Sequence, residues 1–229
     1  MKAFFILIIS LSFSLIAFGQ ADSLARPDAR LNKSFGQDSV GRGFTNKAEA
    51  KNLTVNGLKE GKWVEDYYEG DEGTNDKKAP YYLLTIYRNG KPNGIRRVYW
   101  KKGSLLEEEK YANGVRNGVR KIYYENGKID EETPFVNDTI KGVFKKHYMS
   151  GKLESETYYT NGYIVGGGKS YYESGKIQSV DKDTTINGTD LIIEYGFYED
   201  GKLERKTIWY NPAEGDDTYY DENGKEKKL

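Results

Sequence analysis

Residues 118–135 read GVRKIYYENGKIDEETPF, and this stretch decides the fold. Gly118 to Glu125 favours a β-strand, and Lys128 to Phe135 returns as a second strand. Between them, Asn126-Gly127 is the dipeptide that best fits a two-residue type I′ turn, because both residues of that turn must accept a positive φ. The stretch therefore predicts a β-hairpin.

The same hairpin recurs along the chain. Two sets of glycines keep a step of 24 residues, namely Gly94, Gly118, Gly142 and Gly166, and Gly103, Gly127, Gly151 and Gly175. A fixed period of this length indicates a repeat architecture. Turn dipeptides ending in glycine separate strands of about six to eight residues, and no stretch shows sustained helical periodicity. We therefore predict an all-β fold, an elongated single-layer antiparallel β-meander of hairpin repeats.

The beginning of the chain is typical of a secretory signal peptide, which we assign to residues 1–19. Ala3–Phe18 is apolar and interrupted only by serines, and Ala17 and Gly19 supply the small residues of a cleavage site before Gln20. A membrane anchor is the alternative. It is disfavoured because the apolar stretch is short and has no basic flank after it.

The signal peptide predicts a mature protein in the periplasm or outside the cell. Residues 20–52 lack periodicity and are interpreted as a flexible lead-in. Residues 53–229 form the predicted repeat domain, and two irregular segments interrupt it, Glu69–Ala79 and Asp181–Asp190. We expect binding specificity where the repeat fails. The first segment carries several oxygen ligands, but their order does not fit a calcium-binding loop.

Aromatic residues occupy fixed positions in the repeat. One column holds Tyr99, Tyr123, His147, Tyr171 and Phe197. The adjacent column holds Trp100, Tyr124, Tyr148, Tyr172 and Tyr198. We predict that both columns stack from repeat to repeat. We also predict that the second column is exposed and binds a protein surface or the face of a sugar ring. On the return strand, Leu105 and Tyr111 and their equivalents are expected to share one apolar face.

Composition excludes several functional classes. The 229 residues include no cysteine and one histidine, and the formal net charge is zero. Disulfides and thiolate metal sites are therefore excluded, and nothing attracts nucleic acid over the whole surface. His147 occupies an aromatic column, which favours a packing role over general-base catalysis. Glu107 and Glu109 share one side of a strand and are expected to be solvated. We predict no catalytic residue, no metal site, no cofactor and no enzymatic activity.

Five basic residues lie close together in two successive repeats: Arg96, Arg97, Lys101, Arg116 and Arg120. Such a group can contact anionic lipid or phosphate. The balanced total charge instead favours a solvated face without a specific ligand.

The repeat resembles a known family. Tyr-Tyr-x-x-Gly-Lys-(Leu/Ile) alternates with an Asn-Gly turn and Gly-x-x-(Lys/Arg)-x-Tyr-Tyr, best seen in Asn113–Ile129 and Asn161–Ile177. This pattern is similar to the bacterial variant of the MORN repeat. The resemblance implies YwqK-type antitoxins among bacterial proteins, and scaffolding, dimerisation or phospholipid binding among eukaryotic ones. A signal peptide fits an antitoxin only if the toxin also acts outside the cytoplasm.

The sequence alone thus favours an exported, non-enzymatic repeat protein that acts as a protein–protein interaction scaffold. An unknown protein partner is expected, and the array can also pair with itself. The alternatives are a module that binds glycan or the cell envelope, and an antitoxin-like inhibitor of a toxin.

Overall fold

The computed structural model describes residues 43–68, 74, 76–186, 189–211, 214–221 and 223–227. The predicted signal peptide and most of the predicted lead-in lie outside these residues. The all-β prediction is confirmed, because the described residues form one antiparallel sheet of 17 strands in meander order. Within the described ranges the helical structure is one 3-10 turn, Lys47–Glu49.

The strands are β1 (Leu53–Val55), β2 (Leu58–Tyr67), β3 (Tyr81–Arg88), β4 (Lys91–Pro92), β5 (Gly94–Trp100), β6 (Leu105–Ala112), β7 (Val115–Arg116), β8 (Gly118–Tyr123), β9 (Ile129–Val136), β10 (Thr139–Ile140), β11 (Gly142–His147), β12 (Leu153–Thr160), β13 (Tyr163–Tyr171), β14 (Ile177–Ile186), β15 (Thr189–Phe197), β16 (Leu203–Asn211) and β17 (Glu214–Tyr219). Each of the short strands β4, β7 and β10 is followed by a longer strand, and both pair with the same neighbour. β4 and β5 pair with β3, β7 and β8 pair with β6, and β10 and β11 pair with β9. Each short and long pair therefore acts as one interrupted strand.

Two kinds of turn alternate along the meander. At Asn113-Gly114 both residues have positive φ, 52° and 90°, as a type I′ turn requires. At Asn126-Gly127 the prediction of a type I′ turn is wrong. Gly127 alone has a positive φ there, and its N–H donates to Tyr124 O, which is the pattern of a type I turn closed by a left-handed glycine. This longer turn shifts the register between Ile122 and Tyr123.

The register shift also corrects the expected apolar face. Val98 lies opposite Glu107, but Tyr99 lies opposite Leu105, so Leu106 is an extra residue in a bulge. Leu105 packs with Leu84 and Tyr99 on one face of the sheet. Tyr111 is on the other face, where its hydroxyl donates to Glu109. We call the face with Tyr111 the front face and the face with Leu84 the back face.

The back face carries a row of alternating charges, because directly opposite residues in an antiparallel pair point to the same side. Arg97 lies opposite Glu108, Glu108 opposite Lys121, Lys121 opposite Glu132, Glu132 opposite Lys145, Lys145 opposite Glu156, and Glu156 opposite Lys169. A slip of one residue would break every one of these pairs. The row therefore helps to fix the register across seven strands.

Reversing one charge in this row should destabilise the sheet. We expect Glu132→Lys to lower the free energy of unfolding by about 1–2 kcal/mol, because Lys121 and Lys145 would each face a like charge. Urea unfolding followed by circular dichroism measures the change. Glu173→Lys makes the same change of charge at an exposed turn and serves as the control. Equal stability of the two variants would contradict this role of the row.

The compact core lies on the back face, in the first repeats. Phe44, Leu84 and Tyr99 are buried together there, and Arg97 Nη1 donates to Phe44 O over 3.1 Å. Residues 43–50 therefore cover part of the sheet, although no periodic pattern of apolar residues marks them. Tyr82 stacks on Tyr99 with ring centroids 5.1 Å apart.

The two edges of the meander are protected in different ways. At the first edge the side-chain amide of Asn52 donates to Val64 O and accepts from Val64 N, both over 2.9 Å. At the last edge β17 carries Asp216 and Asp217. Occupied polar groups and charged side chains both discourage the addition of another strand. A partner is therefore better received on a face than at an edge.

Candidate protein-binding groove

The predicted binding column has a structural task in the fold. Trp100, Tyr124, Tyr148, Tyr172 and Tyr198 are half-buried rather than exposed. Each tyrosine hydroxyl donates to a backbone carbonyl one repeat further along: Tyr124 to His147 O, Tyr148 to Tyr171 O, Tyr172 to Phe197 O and Tyr198 to Tyr220 O, over 2.5–3.1 Å. Burial raises the pKa of the Tyr124 hydroxyl, and the nearby carboxylate of Asp130 raises it further, to about 12. This donor therefore keeps its proton at neutral pH.

Hydrogen bonds from the tyrosine hydroxyls, and not the expected ring stacking, thus join the later repeats of this column. Close ring pairs lie at its start, where Tyr81 and Trp100 have centroids 4.8 Å apart. A tyrosine whose hydroxyl is bound to the next repeat presents less of its polar end to a ligand. The column therefore accounts for cohesion between repeats before any binding role.

Removing one of these hydroxyls should weaken the array measurably. We expect Tyr148→Phe to lower the free energy of unfolding by about 1 kcal/mol, because the bond to Tyr171 O is lost while the ring remains. Chemical unfolding measures the effect. Tyr163→Phe removes a hydroxyl from a ring that is 76% exposed and should change stability by less than half as much. A larger loss at Tyr163 would refute the assignment.

A second column explains the 24-residue glycine step. Gly94 lies opposite Tyr111, Gly118 opposite Phe135 and Gly142 opposite Tyr159, all on the front face. The pattern then fails twice. Asp183 takes the aromatic position next to Gly166 and accepts a hydrogen bond from Gly166 N over 2.7 Å. Ile192 takes the glycine position opposite Trp209.

The irregular segment Asp181–Asp190 is a continuous hairpin at this place. Its described residues pair without a register shift from Ser179–Gly196 to Ile186–Thr189, while the tip, residues 187 and 188, lies outside the described residues. The predicted interruption is therefore a change of side chains and not a break of the ladder. Long regular strands hold these side chains on the front face.

A groove of about 720 Å³ lies on this part of the front face. Ile192, Trp209 and Tyr210 supply its apolar lining. Four carboxylates line it as well: Asp181, Asp183, Asp190 and Glu194. Ile192 is 45% exposed, which shows that no other described part of the chain covers it. An apolar surface bordered by polar groups is typical of a binding site.

Hydrogen bonds fix the Trp209 indole. Glu194 accepts from Trp209 Nε1 over 3.3 Å and from Arg205 Nη2 over 2.5 Å. Arg205 also donates to Thr207 Oγ1 over 2.7 Å. Trp209 therefore presents its ring in a defined orientation before any ligand arrives, and this lowers the entropy lost on binding.

Asp181 differs from its neighbours because its carboxylate has no hydrogen bond or ion pair with the described residues. Asp183 and Asp190 do have donors, Gly166 N and the Thr185 hydroxyl. Burial raises the pKa of Asp181, and the charges of Glu194 and Asp183 raise it further. The groove thus holds more negative charge than its own residues neutralise.

The repeat geometry has a counterpart in a known family. Residues 116–137 match the model of the MORN repeat variant. This match runs from the end of β7 to the start of the next turn and contains the Gly118–Phe135 pair. The resemblance to the MORN repeat is therefore confirmed over one repeat. A search of curated proteins finds no match to the chain.

Outside this groove, the charged residues that could act in catalysis or anion binding form ion pairs within the MORN-like array. The expectation that Glu107 and Glu109 are solvated is wrong, because Glu109 is buried and both carboxylates lie 3.7 Å from Arg96. Glu107 also binds Arg120. The basic cluster is likewise paired: Arg97 with Glu108, Lys101 with Asp66 and Arg116 with Asp138. These ion pairs leave no unbalanced basic patch among the five residues.

His147 is half-buried in its column, and its Nδ1 has no hydrogen-bond partner within the described residues. Most of the acidic loop, residues 69–73 and 75, lies outside them. Across the ranges that the structure describes, no group of three or more His, Asp or Glu could hold a metal ion. In the same ranges no helix is long and apolar enough to span a bilayer.

Proposed function

We propose that this chain is an exported, non-enzymatic scaffold that binds another protein through the groove between β14 and β16. The groove carries the proposal, because it combines an open apolar surface with a fixed indole at the point where the repeat fails. Trp is among the residues that contribute most to protein interfaces. The protected edges support binding on a face. A toxin that acts outside the cytoplasm is one partner of this kind.

The proposal predicts that binding depends on Trp209. The mature protein, immobilised and exposed to envelope extract, should retain a partner that mass spectrometry identifies. We expect Trp209→Ala to weaken binding of the purified partner by more than about 30-fold, as for a central interface residue. Trp100→Ala is the matched control, because Trp100 belongs to the column that was first predicted to bind.

The outcomes separate the candidate functions. Equal loss for both variants would indicate misfolding, which circular dichroism detects. Loss for Trp100→Ala alone would move the site to the aromatic column. Retention by polysaccharide arrays, abolished by Trp209→Ala, would favour the glycan-binding alternative and overturn the protein scaffold. Cell fractionation tests export, and a cytoplasmic protein that retains Met1 would refute it.

A further inference from the structure

The front-face groove also specifies the chemistry of its occupant. We propose that it receives an extended segment of a partner protein that carries lysine or arginine at alternate positions. This inference rests on the proposed function, since it names the class of partner. Its basis is the arrangement of the carboxylates relative to the apolar lining.

The groove residues lie in three rows across the strands. Asp181 lies opposite Glu194 in the first row, Asp183 opposite Ile192 in the second, and Thr185 opposite Asp190 in the third. Every row therefore contains at least one carboxylate. Same-face residues on a strand are about 7 Å apart, and alternate side chains of an extended peptide have the same spacing. A peptide aligned with β14 can thus place one cation over each row.

The charges that line the groove determine the sign of the charge that its partner carries. Four carboxylates line the groove, and among the described residues Arg205 is the cation that contacts them, through Glu194. Arg205 is also bound to Thr207 and lies 3.5 Å from Asp217. It is therefore shared with groups beyond the groove. An incoming anion would meet uncompensated repulsion, whereas an ammonium or guanidinium group would find an acceptor at Asp181.

The apolar lining suits the same occupant. Lysine and arginine have long aliphatic stems, which pack on apolar surface while the charged end remains at a polar rim. Trp209 can receive a stem or, over the face of its ring, the cation itself. A compact metal ion would gain nothing from this lining. The groove therefore fits an amphipathic cationic side chain.

The test uses the mature full-length chain and a defined probe. The probe is an acetylated octapeptide of alternating lysine and threonine, and the matched control peptide has every lysine Nε-acetylated. Isothermal titration at low and at physiological salt gives the affinities. We expect the lysine peptide to bind at least about tenfold more tightly than its acetylated form, because each charge-assisted bond is worth about that factor. Salt should weaken the difference.

Variants then locate the site. Asp181→Asn and Asp183→Asn, measured separately and together, should weaken the lysine peptide by about tenfold or more in combination. Glu173→Gln with Glu199→Gln removes the same two charges at exposed turns and should leave binding unchanged. Asp181→Asn alone removes no hydrogen bond with the described residues, so it remains informative even if the double variant fails to fold. Circular dichroism checks that each variant keeps the fold.

Each result bears on one proposal. Equal binding of the lysine and acetylated peptides would overturn the inference, as would equal weakening by the turn variants. A natural partner that requires Trp209 but not Asp181 or Asp183 would overturn the inference and leave the proposed function standing. A lysine peptide that requires the carboxylates, with no protein partner that requires Trp209, would overturn the proposed function instead.

Discussion

Leu84→Ala is expected to lower the free energy of unfolding by about 3 kcal/mol, within the range of about 2–5 kcal/mol for leucine in a packed core. Leu84 is fully buried, and Phe44 and Tyr99 pack on it. A sheet of this type has few such residues, so the alanine variant leaves a cavity where the first repeats and residues 43–50 meet. Chemical unfolding gives the loss, and hydrogen exchange should show faster exchange at Phe44.

The control for Leu84 is Leu53→Ala. Leu53 lies on β1 and is 52% exposed, so the same truncation should cost no more than about 0.5 kcal/mol. A small loss at Leu84, comparable to that at Leu53, would mean that residues 43–50 do not cover the back face in solution. A large loss of stability in Leu84→Ala with unchanged hydrogen exchange at Phe44 would mean that the core forms without residues 43–50.

The fold could be predicted because turn chemistry and period are local properties. Asn113-Gly114 and Asn161-Gly162 adopt the expected positive φ values, since asparagine and glycine tolerate them at little cost. The second turn type was missed at Asn126-Gly127, although a signal exists. Consecutive turn dipeptides begin alternately 13 and 11 residues apart, at Asn113, Asn126, Asn137, Ser150, Asn161 and Ser174. The longer step contains the interrupted strand, such as β7 with β8, whereas the bulge residue lies in the shorter step that follows the type I turn.

The face of the sheet on which each side chain lies could not be predicted from the alternation of side chains along a strand alone. A bulge adds one residue to a strand and reverses the side for every residue beyond it. Leu105 and Tyr111 therefore separate, although their spacing places them together. The burial of Phe44 depends on contacts distant in sequence with Leu84 and Tyr99, and no local pattern records them.

The groove was located in part by the sequence. The failure of the repeat at Asp183 marks the hairpin that lines the groove, but the residues that complete the groove lie outside Asp181–Asp190. Ile192, Glu194 and Trp209 join it through strand pairing. The insertion of two residues between Gly175 and Gly201 carries the signal for Ile192, because it moves this residue into the glycine column. Pairing across strands is needed to bring Trp209 beside it.

Gly167→Ala is expected to disrupt both the sheet and the groove. Gly167 has φ 71°, and a Cβ there would lie 2.3 Å from Asp181 O. The left-handed conformation costs a non-glycine residue about 1–2 kcal/mol, and the overlap with backbone adds about 1–3 kcal/mol more, so we expect a loss of about 3 kcal/mol or more. Because β14 must move away to relieve the overlap, the carboxylate of Asp181 moves with it.

Gly166→Ala separates the cost of the left-handed conformation from the cost of the overlap with Asp181. Gly166 has nearly the same φ, 69°, but a Cβ there would meet no atom within 4 Å. Its substitution should therefore cost only the conformational part, about 1–2 kcal/mol, and leave the backbone of Asp181 in place. Unfolding experiments and titration of the lysine peptide should rank the variants in the same order, with Gly167→Ala the weaker in both. If the two variants lost stability equally but only Gly167→Ala lost the peptide, the shared left-handed conformation would account for the loss of stability, and the overlap with Asp181 would account only for the loss of binding. Displacement of Asp181 would then be the physical link between the glycine pair and binding.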